Sequence, residues 1–135
     1  NITFHSNVVT GCSGGIEAGA EQLPDSDAHS TGNVQIVNNL VYGNLEKGIT
    51  IGGYDTDTTG TVFDSSITGN TLFNNGLEAP DGDGAEITVS KVNGLTLQQN
   101  VITNQNDGIS MISFELGKEY VKNYKESGNI LGKNQ

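Results

Sequence analysis

The sequence predicts an all-β solenoid of about four coils, each built from three short strands. Its 135 residues are only 33% hydrophobic and 6% aromatic, with 19 Gly and no Trp, so large side chains cannot supply a globular core. The chain also repeats itself with a period of about 30 residues. Because one such repeat cannot bury its apolar face alone, repeats in series predict coils that stack strand on strand.

Each repeat contains three strand-like segments. The middle segments begin at Asn7, Asn39, Asn70 and Asn100, which lie 32, 31 and 30 positions apart. The preceding segments are residues 2–4, 34–36, 65–67 and 95–97, and the following Gly-led segments are residues 15–19, 48–52, 84–88 and 108–112. Apolar and polar residues alternate within them, which is typical of a strand with one buried face.

The aligned Asn residues are predicted to form a ladder. An amide side chain has both donors and an acceptor, so identical amides at one turn can hydrogen-bond from coil to coil. Two buried aliphatic columns are expected beside the ladder. One contains Val9, Val41, Leu72 and Ile102, and the other contains Ile16, Ile49, Ala85 and Ile109.

The repeat predicts one domain of coils over residues 1–114 and a C-terminal tail or cap over residues 115–135. The final segment is richer in charge and carries four of the six Lys residues, so we expect it to cover the last coil. The first coil shows no such cap in its sequence. Further β-helix coils or an oligomer are therefore expected partners at the open ends.

Charge excludes two classes of partner. The formal net charge is −10, all six basic residues are Lys, and only Lys47 and Lys91 precede residue 115. A phosphate backbone or an anionic membrane surface needs clustered cations, so we expect neither nucleic acid nor membrane as a partner. No apolar run approaches the roughly 20 residues that span a bilayer.

With these features the chain resembles the right-handed parallel β-helix proteins of the pectate-lyase-like superfamily. The residues that carry the resemblance are residues 33–44, NVQIVNNLVYGN, and residues 48–55, GITIGGYD. The resemblance implies a right-handed parallel β-helix of about four three-strand coils. It also implies a secreted or periplasmic protein with a polysaccharide or oligosaccharide along one outer face.

Paired carboxylates suggest a glycoside hydrolase. Alignment of the Gly-led segments places Glu17, Thr50, Glu86 and Ser110 in one outward column. Two coils of about 4.8 Å separate Glu17 from Glu86, so their backbones are expected to lie about 9.6 Å apart. Inverting glycosidases hold their carboxyl groups about 6.5–9.5 Å apart, so this spacing favours inversion.

Other residues extend this predicted site. Glu21 and Asp55 are expected near the same face, which gives a catalytic cluster of Glu17, Glu21, Asp55 and Glu86. Glu86 is the predicted acid, because a carboxyl crowded by others should have a raised pKa, and Asp55 or Glu17 is its partner. Tyr54 and Thr50 are predicted to bind the sugar, Tyr54 by stacking on a ring.

Calcium is a further expectation. Asp-x-Asp pairs occur at residues 25–27, 55–57 and 81–83, and alternating carboxylates suit the oxygen coordination of Ca²⁺. Asp55 and Asp57 are the predicted ligands. Turn chemistry explains Asp beside Gly or Ser equally well.

Two alternatives to hydrolysis stay open. A calcium-dependent polysaccharide lyase would need Lys47, Lys91, His5 or His29 as its base, and an acidic groove would repel a polyuronate unless Ca²⁺ intervened. The other alternative is a non-catalytic carbohydrate-binding or structural β-helix segment, as in an adhesin or a tailspike.

Overall fold

A computed structural model describes residues 1–20, 30–57, 60–79 and 82–133 of the protein. These residues form fifteen strands: β1 (Ile2–His5), β2 (Val8–Thr10), β3 (Ile16–Gly19), β4 (Thr31–Gly32), β5 (Val34–Val37), β6 (Leu40–Tyr42), β7 (Lys47–Gly52), β8 (Val62–Thr68), β9 (Thr71–Phe73), β10 (Ala85–Val89), β11 (Val92–Gln98), β12 (Val101–Asn104), β13 (Ser110–Phe114), β14 (Val121–Ser127) and β15 (Ile130–Lys133). A single 3₁₀ turn, Lys118–Tyr120, is the one helical element described. No helix in these ranges could cross a membrane.

The strands form three sheets that run the length of a parallel β-helix. Sheet A has the order β1-β5-β8-β11-β14, with β4 also paired to β8. Sheet B has the order β2-β6-β9-β12-β15, and sheet C has the order β3-β7-β10-β13. Every pair of neighbouring strands is parallel, and each of the first four coils contributes one position to each sheet, whereas the last described strands, β14 and β15, extend sheets A and B alone. The all-β solenoid of three-strand coils is therefore confirmed.

The predicted Asn ladder is present at the turn from sheet A to sheet B. The backbone N–H and Nδ2 of Asn39 both donate to Oδ1 of Asn70, at 2.8 and 3.0 Å. The same two bonds join Asn7 to Asn39 and Asn70 to Asn100. Asn70 Nδ2 also donates at 2.8 Å to the carbonyl oxygen of Ile36 in the preceding coil, so one side chain links three coils.

A left-handed residue precedes each ladder Asn. Ser6, Asn38, Gly69, Gln99 and Gly128 have φ values of 57°, 54°, 68°, 56° and 64°. This conformation is unfavourable for a residue with a Cβ, and it turns the chain within two residues. The ladder hydrogen bonds offset part of the conformational free energy of this turn, because they give its backbone N–H group a partner.

The core is a set of aliphatic columns inside the coils. Val9, Val41, Leu72 and Ile102 lie opposite one another in sheet B, as predicted. In sheet C the column is Ile16, Ile49, Ile87 and Ile112. The predicted members Ala85 and Ile109 are therefore wrong. The third Gly-led segment is displaced by two residues and the fourth by three relative to the sequence alignment.

The coils continue beyond the predicted boundary at residue 114. Strand β14 pairs with β11 and strand β15 pairs with β12. Asn129 adds a fifth ladder position, because Asn100 donates to its Oδ1 through the backbone N–H and Nδ2 at 3.0 and 2.9 Å. The prediction of a tail or cap over residues 115–135 is corrected: residues 121–133 form strands of a further coil.

Replacing Asn70 with Ala should lower the free energy of unfolding by about 3 kcal/mol, because Asn39 N–H and the Ile36 carbonyl lose their buried partner. Asn93→Ala is the control, since Asn93 is exposed on the outer face of sheet A. It should cost about 0.5 kcal/mol or less. Urea unfolding followed by far-ultraviolet circular dichroism measures both, and equal losses would contradict the structural role of the ladder.

Candidate functional site

The outward column of sheet C differs from the predicted one. Pairing places Glu17 opposite Thr50, Thr50 opposite Thr88, and Thr88 opposite Ser113. Glu17 and Thr50 are therefore in the predicted column, whereas Glu86 and Ser110 are not. The structure consequently forms no column pair between Glu17 and Glu86, and the spacing argument for an inverting hydrolase loses its geometric basis.

Glu86 instead lies inside the coils, at the corner between sheets B and C. Its neighbours Ala85 and Ile87 pair with Lys47 and Ile49, so Glu86 lies opposite Gly48 at the start of the strand. The side chain is 0% exposed. Alternation along β10 predicts that Glu86 faces outward with Thr88, but every residue of the strand is buried and the Glu86 carboxylate accepts hydrogen bonds from Asn75 and Asn104.

Three amide donors hold the Glu86 carboxylate. Oε1 accepts from the Asn75 backbone N–H at 3.0 Å and from Asn104 Nδ2 at 2.7 Å, and Oε2 accepts from Asn75 Nδ2 at 2.5 Å. Asn75 in turn accepts on Oδ1 from the backbone N–H and Nδ2 of Asn44, at 3.0 and 2.8 Å. Asn44, Asn75 and Glu86 thus form a second ladder, which ends in a carboxylate.

The direction of this second ladder explains why an acid fits at its end. Asn44 and Asn75 each donate toward the next member, so only N–H groups point at Glu86. An ionised carboxylate has acceptors alone and matches this arrangement, as an anion does at the N-terminus of a helix. Burial raises the pKa of the Glu86 carboxyl, and the hydrogen bonds from Asn75 and Asn104 offset part of that increase.

Glycine at position 48 gives the ladder its space. A Cβ at Gly48 would lie 2.5 Å from the Glu86 carbonyl oxygen and 2.9 Å from Asn75 Nδ2. A larger residue at position 48 would therefore displace the Glu86 backbone or the Asn75 amide that donates to the Glu86 carboxylate. With three N–H donors on its carboxylate, Glu86 is a structural acceptor in this geometry.

The other predicted catalytic residues do not gather around Glu86. Asp55 follows the far end of β7, whereas Glu86 lies at the start of the neighbouring strand β10. Glu17 is exposed on β3, two strands away from β10. Glu21 lies outside the described residues. Tyr54 is 59% exposed beyond the end of β7, in agreement with a role at the surface, and its stacking on sugar stays a prediction.

The predicted calcium ligands share a tight turn. The Asp57 backbone N–H donates to Oδ1 of Asp55 at 2.8 Å, which is an Asx turn. Over the described ranges, no group of three or more His, Cys, Asp or Glu side chains is arranged to hold a metal ion. Asp55 and Asp57 alone supply few of the six to eight oxygens that Ca²⁺ takes, and calcium binding stays a prediction.

A polar cavity covers the outer face of sheet C. Its volume is about 190 Å³, and it is lined by Lys47, Gly82, Asp83, Thr88, Ser113, Phe114 and Glu115. Lys47 Nζ lies 3.2 Å from Glu115 Oε1, and Ser90 Oγ lies 3.4 Å from Glu115 Oε2. We call this space the sheet C cavity. It brings two carboxylates, one ammonium group and two hydroxyls to one small volume.

Two hydroxyls beneath this face have no hydrogen-bond partner among the described residues. They belong to Thr50 and Thr88, which are neighbours in adjacent strands. Thr88 is 1% exposed and lines the sheet C cavity. A buried hydroxyl without a partner costs about 1–3 kcal/mol, so both groups are suited to a ligand that donates and accepts hydrogen bonds.

The sequence alignment missed Thr88, Asp83 and Glu115 as members of one site. Thr88 was paired with a position two residues too far along, and Glu115 lay in the presumed tail. Asp83 was considered only as part of an Asp-x-Asp turn. The signal that would have found Thr88 is its match in residue type to Thr50, which it faces once the register is shifted by two residues.

Comparisons with known proteins give no relative. No protein-family model matches the chain, and neither the curated proteins nor the solved structures contain a significant match.

Replacing Glu86 with Gln should reduce stability most at low pH. The folded-state pKa of Glu86 is raised above its ordinary 4.5, so the folded state holds the proton more tightly. The stability that protonated Glu86 adds to the folded wild type is fully present below a pH of about 4.5 and is lost as the pH rises through the folded-state pKa. Over that range the free energy of unfolding falls by up to about 1.4 kcal/mol per pH unit. The Gln amide titrates nowhere in this range, and its NH₂ would face the Asn75 Nδ2 donor.

Urea unfolding of the wild type and Glu86→Gln at pH 4, 6 and 8 measures this dependence. The stability difference between the two proteins should shrink as pH rises. Glu17→Gln is the matched control, since Glu17 is exposed, and it should change the free energy of unfolding by about 0.5 kcal/mol or less. A pH-independent difference for Glu86→Gln would contradict the raised pKa.

Proposed function

We propose that the protein is a carbohydrate-binding parallel β-helix of the pectate-lyase-like type, with the sheet C cavity as its binding site. The observation that carries this proposal is the buried hydroxyl of Thr88, a lining residue of this cavity, which has no hydrogen-bond partner among the described residues. Sugar hydroxyls donate and accept, so they supply the partner that Thr88 lacks. Ser113 adds a second hydroxyl, and Phe114 adds an apolar side against which C–H groups can pack.

Charge and size support a neutral sugar unit. The charged lining residues are Lys47, Asp83 and Glu115, which together leave one net negative charge. An anion is disfavoured there, and so is a nucleic acid. A cavity of about 190 Å³ lies below the 300–1,000 Å³ typical of drug-sized ligands, so one sugar unit of a longer chain suits it. A secreted or periplasmic location agrees with such a ligand.

Hydrolysis is the second candidate, and one observation favours it. Asp83 and Glu115 are two carboxylates on the same cavity, and Lys47 Nζ lies 3.2 Å from Glu115 Oε1. A glycosidase needs one carboxyl as acid and one as base or nucleophile. Asp83 and Glu115 would then be that pair, in place of the predicted Glu86 and its partner Asp55 or Glu17.

Titration with neutral oligosaccharides tests the binding proposal. Isothermal calorimetry over gluco-, xylo-, manno- and galacto-oligosaccharides should give saturable binding to at least one of them. Thr88→Val should weaken that binding about fivefold, because one hydrogen bond of about 1 kcal/mol is lost. The same change should leave stability equal or slightly higher, since it removes an unsatisfied buried hydroxyl.

Thr71→Val is the matched control, because Thr71 is exposed on the outer face of sheet B. It should leave the affinity unchanged. No binding over the panel, or equal affinity for wild type and Thr88→Val, would contradict the proposed site. Reducing-sugar release that disappears in both Asp83→Asn and Glu115→Gln would establish hydrolysis, and binding without release would leave a binding module.

A further inference from the structure

An ion pair lies diagonally across the outer face of sheet C. Lys47 is the first residue of β7, and Glu115 directly follows the end of β13, two strands away. Lys47 is level with Ser110 at the start of β13, because Ala85 of β10 pairs with both, so Glu115 lies five residues farther along the sheet. The two side chains nevertheless meet, with Lys47 Nζ 3.2 Å from Glu115 Oε1. They therefore span the strand between them, β10.

Thr88 is the outward residue of β10 that this diagonal crosses. It lies opposite Thr50 of β7 and Ser113 of β13, three residues beyond the level of Lys47 and two before the level of Glu115. Both members of the ion pair line the sheet C cavity together with Thr88. Thr88 is nevertheless 1% exposed, so the cavity is covered above its hydroxyl.

The ion pair is weak enough to open. The side chains of Lys47 and Glu115 are 20% and 46% exposed, so water and salt reach both charged groups. A pair with this exposure favours one arrangement over another by about fivefold or less. Ser90 Oγ, 3.4 Å from Glu115 Oε2, holds the carboxylate in place. The Lys47 ammonium, on its flexible four-carbon stem, is therefore the member that we expect to move.

We propose that the Lys47–Glu115 ion pair is a latch that closes the sheet C cavity over Thr88 and opens when a sugar enters. The entry of a sugar rests on the proposed function, whereas the closed arrangement rests on the geometry of the ion pair. A sugar hydroxyl that bonds to Thr88 needs the space that the two side chains span. Asp83 also lines this cavity, so the Lys47 ammonium keeps a carboxylate near it after it leaves Glu115.

The latch lowers the apparent affinity for sugar, because only the open fraction of the molecules can bind. Lys47→Ala removes the ion pair, and Ala fits this position because Ala85 occupies it in the neighbouring strand. Calorimetric titration with the gluco-, xylo-, manno- and galacto-oligosaccharides should show about threefold tighter binding to this variant than to the wild type. Equal binding would overturn the latch. Weaker binding would make Lys47 a sugar contact and overturn it as well.

Lys125→Ala is the matched control for this variant. Lys125 is exposed on β14 and does not line the sheet C cavity, so the change removes the same charge from another site. It should leave the affinity for the oligosaccharides unchanged. The same gain in both variants would show a general effect of net charge and would overturn the latch.

Salt separates the latch from direct contacts with the sugar. The probes are neutral, so salt acts through the charges of the protein. Raising NaCl from about 20 to about 500 mM should tighten wild-type binding about twofold, because screening favours the open form, and should leave Lys47→Ala unchanged. A wild-type affinity that stays constant or falls with salt would overturn the latch.

A measurement without sugar tests the latch independently of the proposed function. Relaxation of the Thr88 methyl signal by a neutral gadolinium chelate, measured by nuclear magnetic resonance on the whole 135-residue chain, reports the solvent access of Thr88. NaCl should increase this relaxation in the wild type and change it little in Lys47→Ala. No increase in the wild type would overturn the latch even if oligosaccharides bind. An increase without any oligosaccharide binding would support the latch and contradict the proposed function.

Discussion

The amide ladder at the turn from sheet A to sheet B is the interaction on which the rest of the structure depends. Each ladder Asn uses its side-chain oxygen to accept two N–H groups from the preceding coil and its NH₂ group to reach a carbonyl. A turn of left-handed residues would otherwise leave buried backbone groups without partners. The ladder fixes the register of sheets A and B, and register decides which side chains face the core.

The ladder also explains why the three corners of the coil differ. Two residues separate β1 from β2, β5 from β6, β8 from β9, β11 from β12 and β14 from β15. Between β9 and β10 the connection runs from residue 74 to 84, and between β7 and β8 from residue 53 to 61. Insertions are thus excluded at the turn from sheet A to sheet B, where the first ladder forms, and are accepted at the two ends of sheet C.

The same contrast decides how much the sequence could predict. The regular spacing of the ladder residues located the coils and the sheet B core column; these residues are Asn7, Asn39, Asn70 and Asn100. The turn beside them has the same length in every coil, so equivalent positions stay aligned. The strands of sheet C come after connections that differ in length from coil to coil. Alignment on Gly84 therefore placed Glu86 opposite Thr50, a position that Thr88 occupies two residues later. Alternation could not reveal the displacement, since a shift of two leaves every residue on the same nominal face.

The burial of Glu86 was equally invisible to periodicity. Period two places Glu86 on the same nominal outer face as Thr88, whereas its carboxylate accepts hydrogen bonds from Asn75 and Asn104. The last coil was missed for another reason. Its inward residues Val121 and Tyr124 alternate with Lys and Glu, a pattern that is typical of a solvent-exposed segment. Only the recognition of Asn129 as a ladder position would have indicated a further coil.

In this protein, whether a buried polar group has hydrogen-bond partners indicates its role better than its residue type does. A buried carboxylate is the residue that sequence reasoning favours as a catalyst, yet Glu86 is 0% exposed and its carboxylate is held by three N–H donors. Thr88 is a common residue type in a strand, yet its hydroxyl is buried without a partner among the described residues, and Thr88 lines a polar cavity. A satisfied group stabilises the fold, whereas an unsatisfied one at a cavity marks the place where a ligand would lower the free energy.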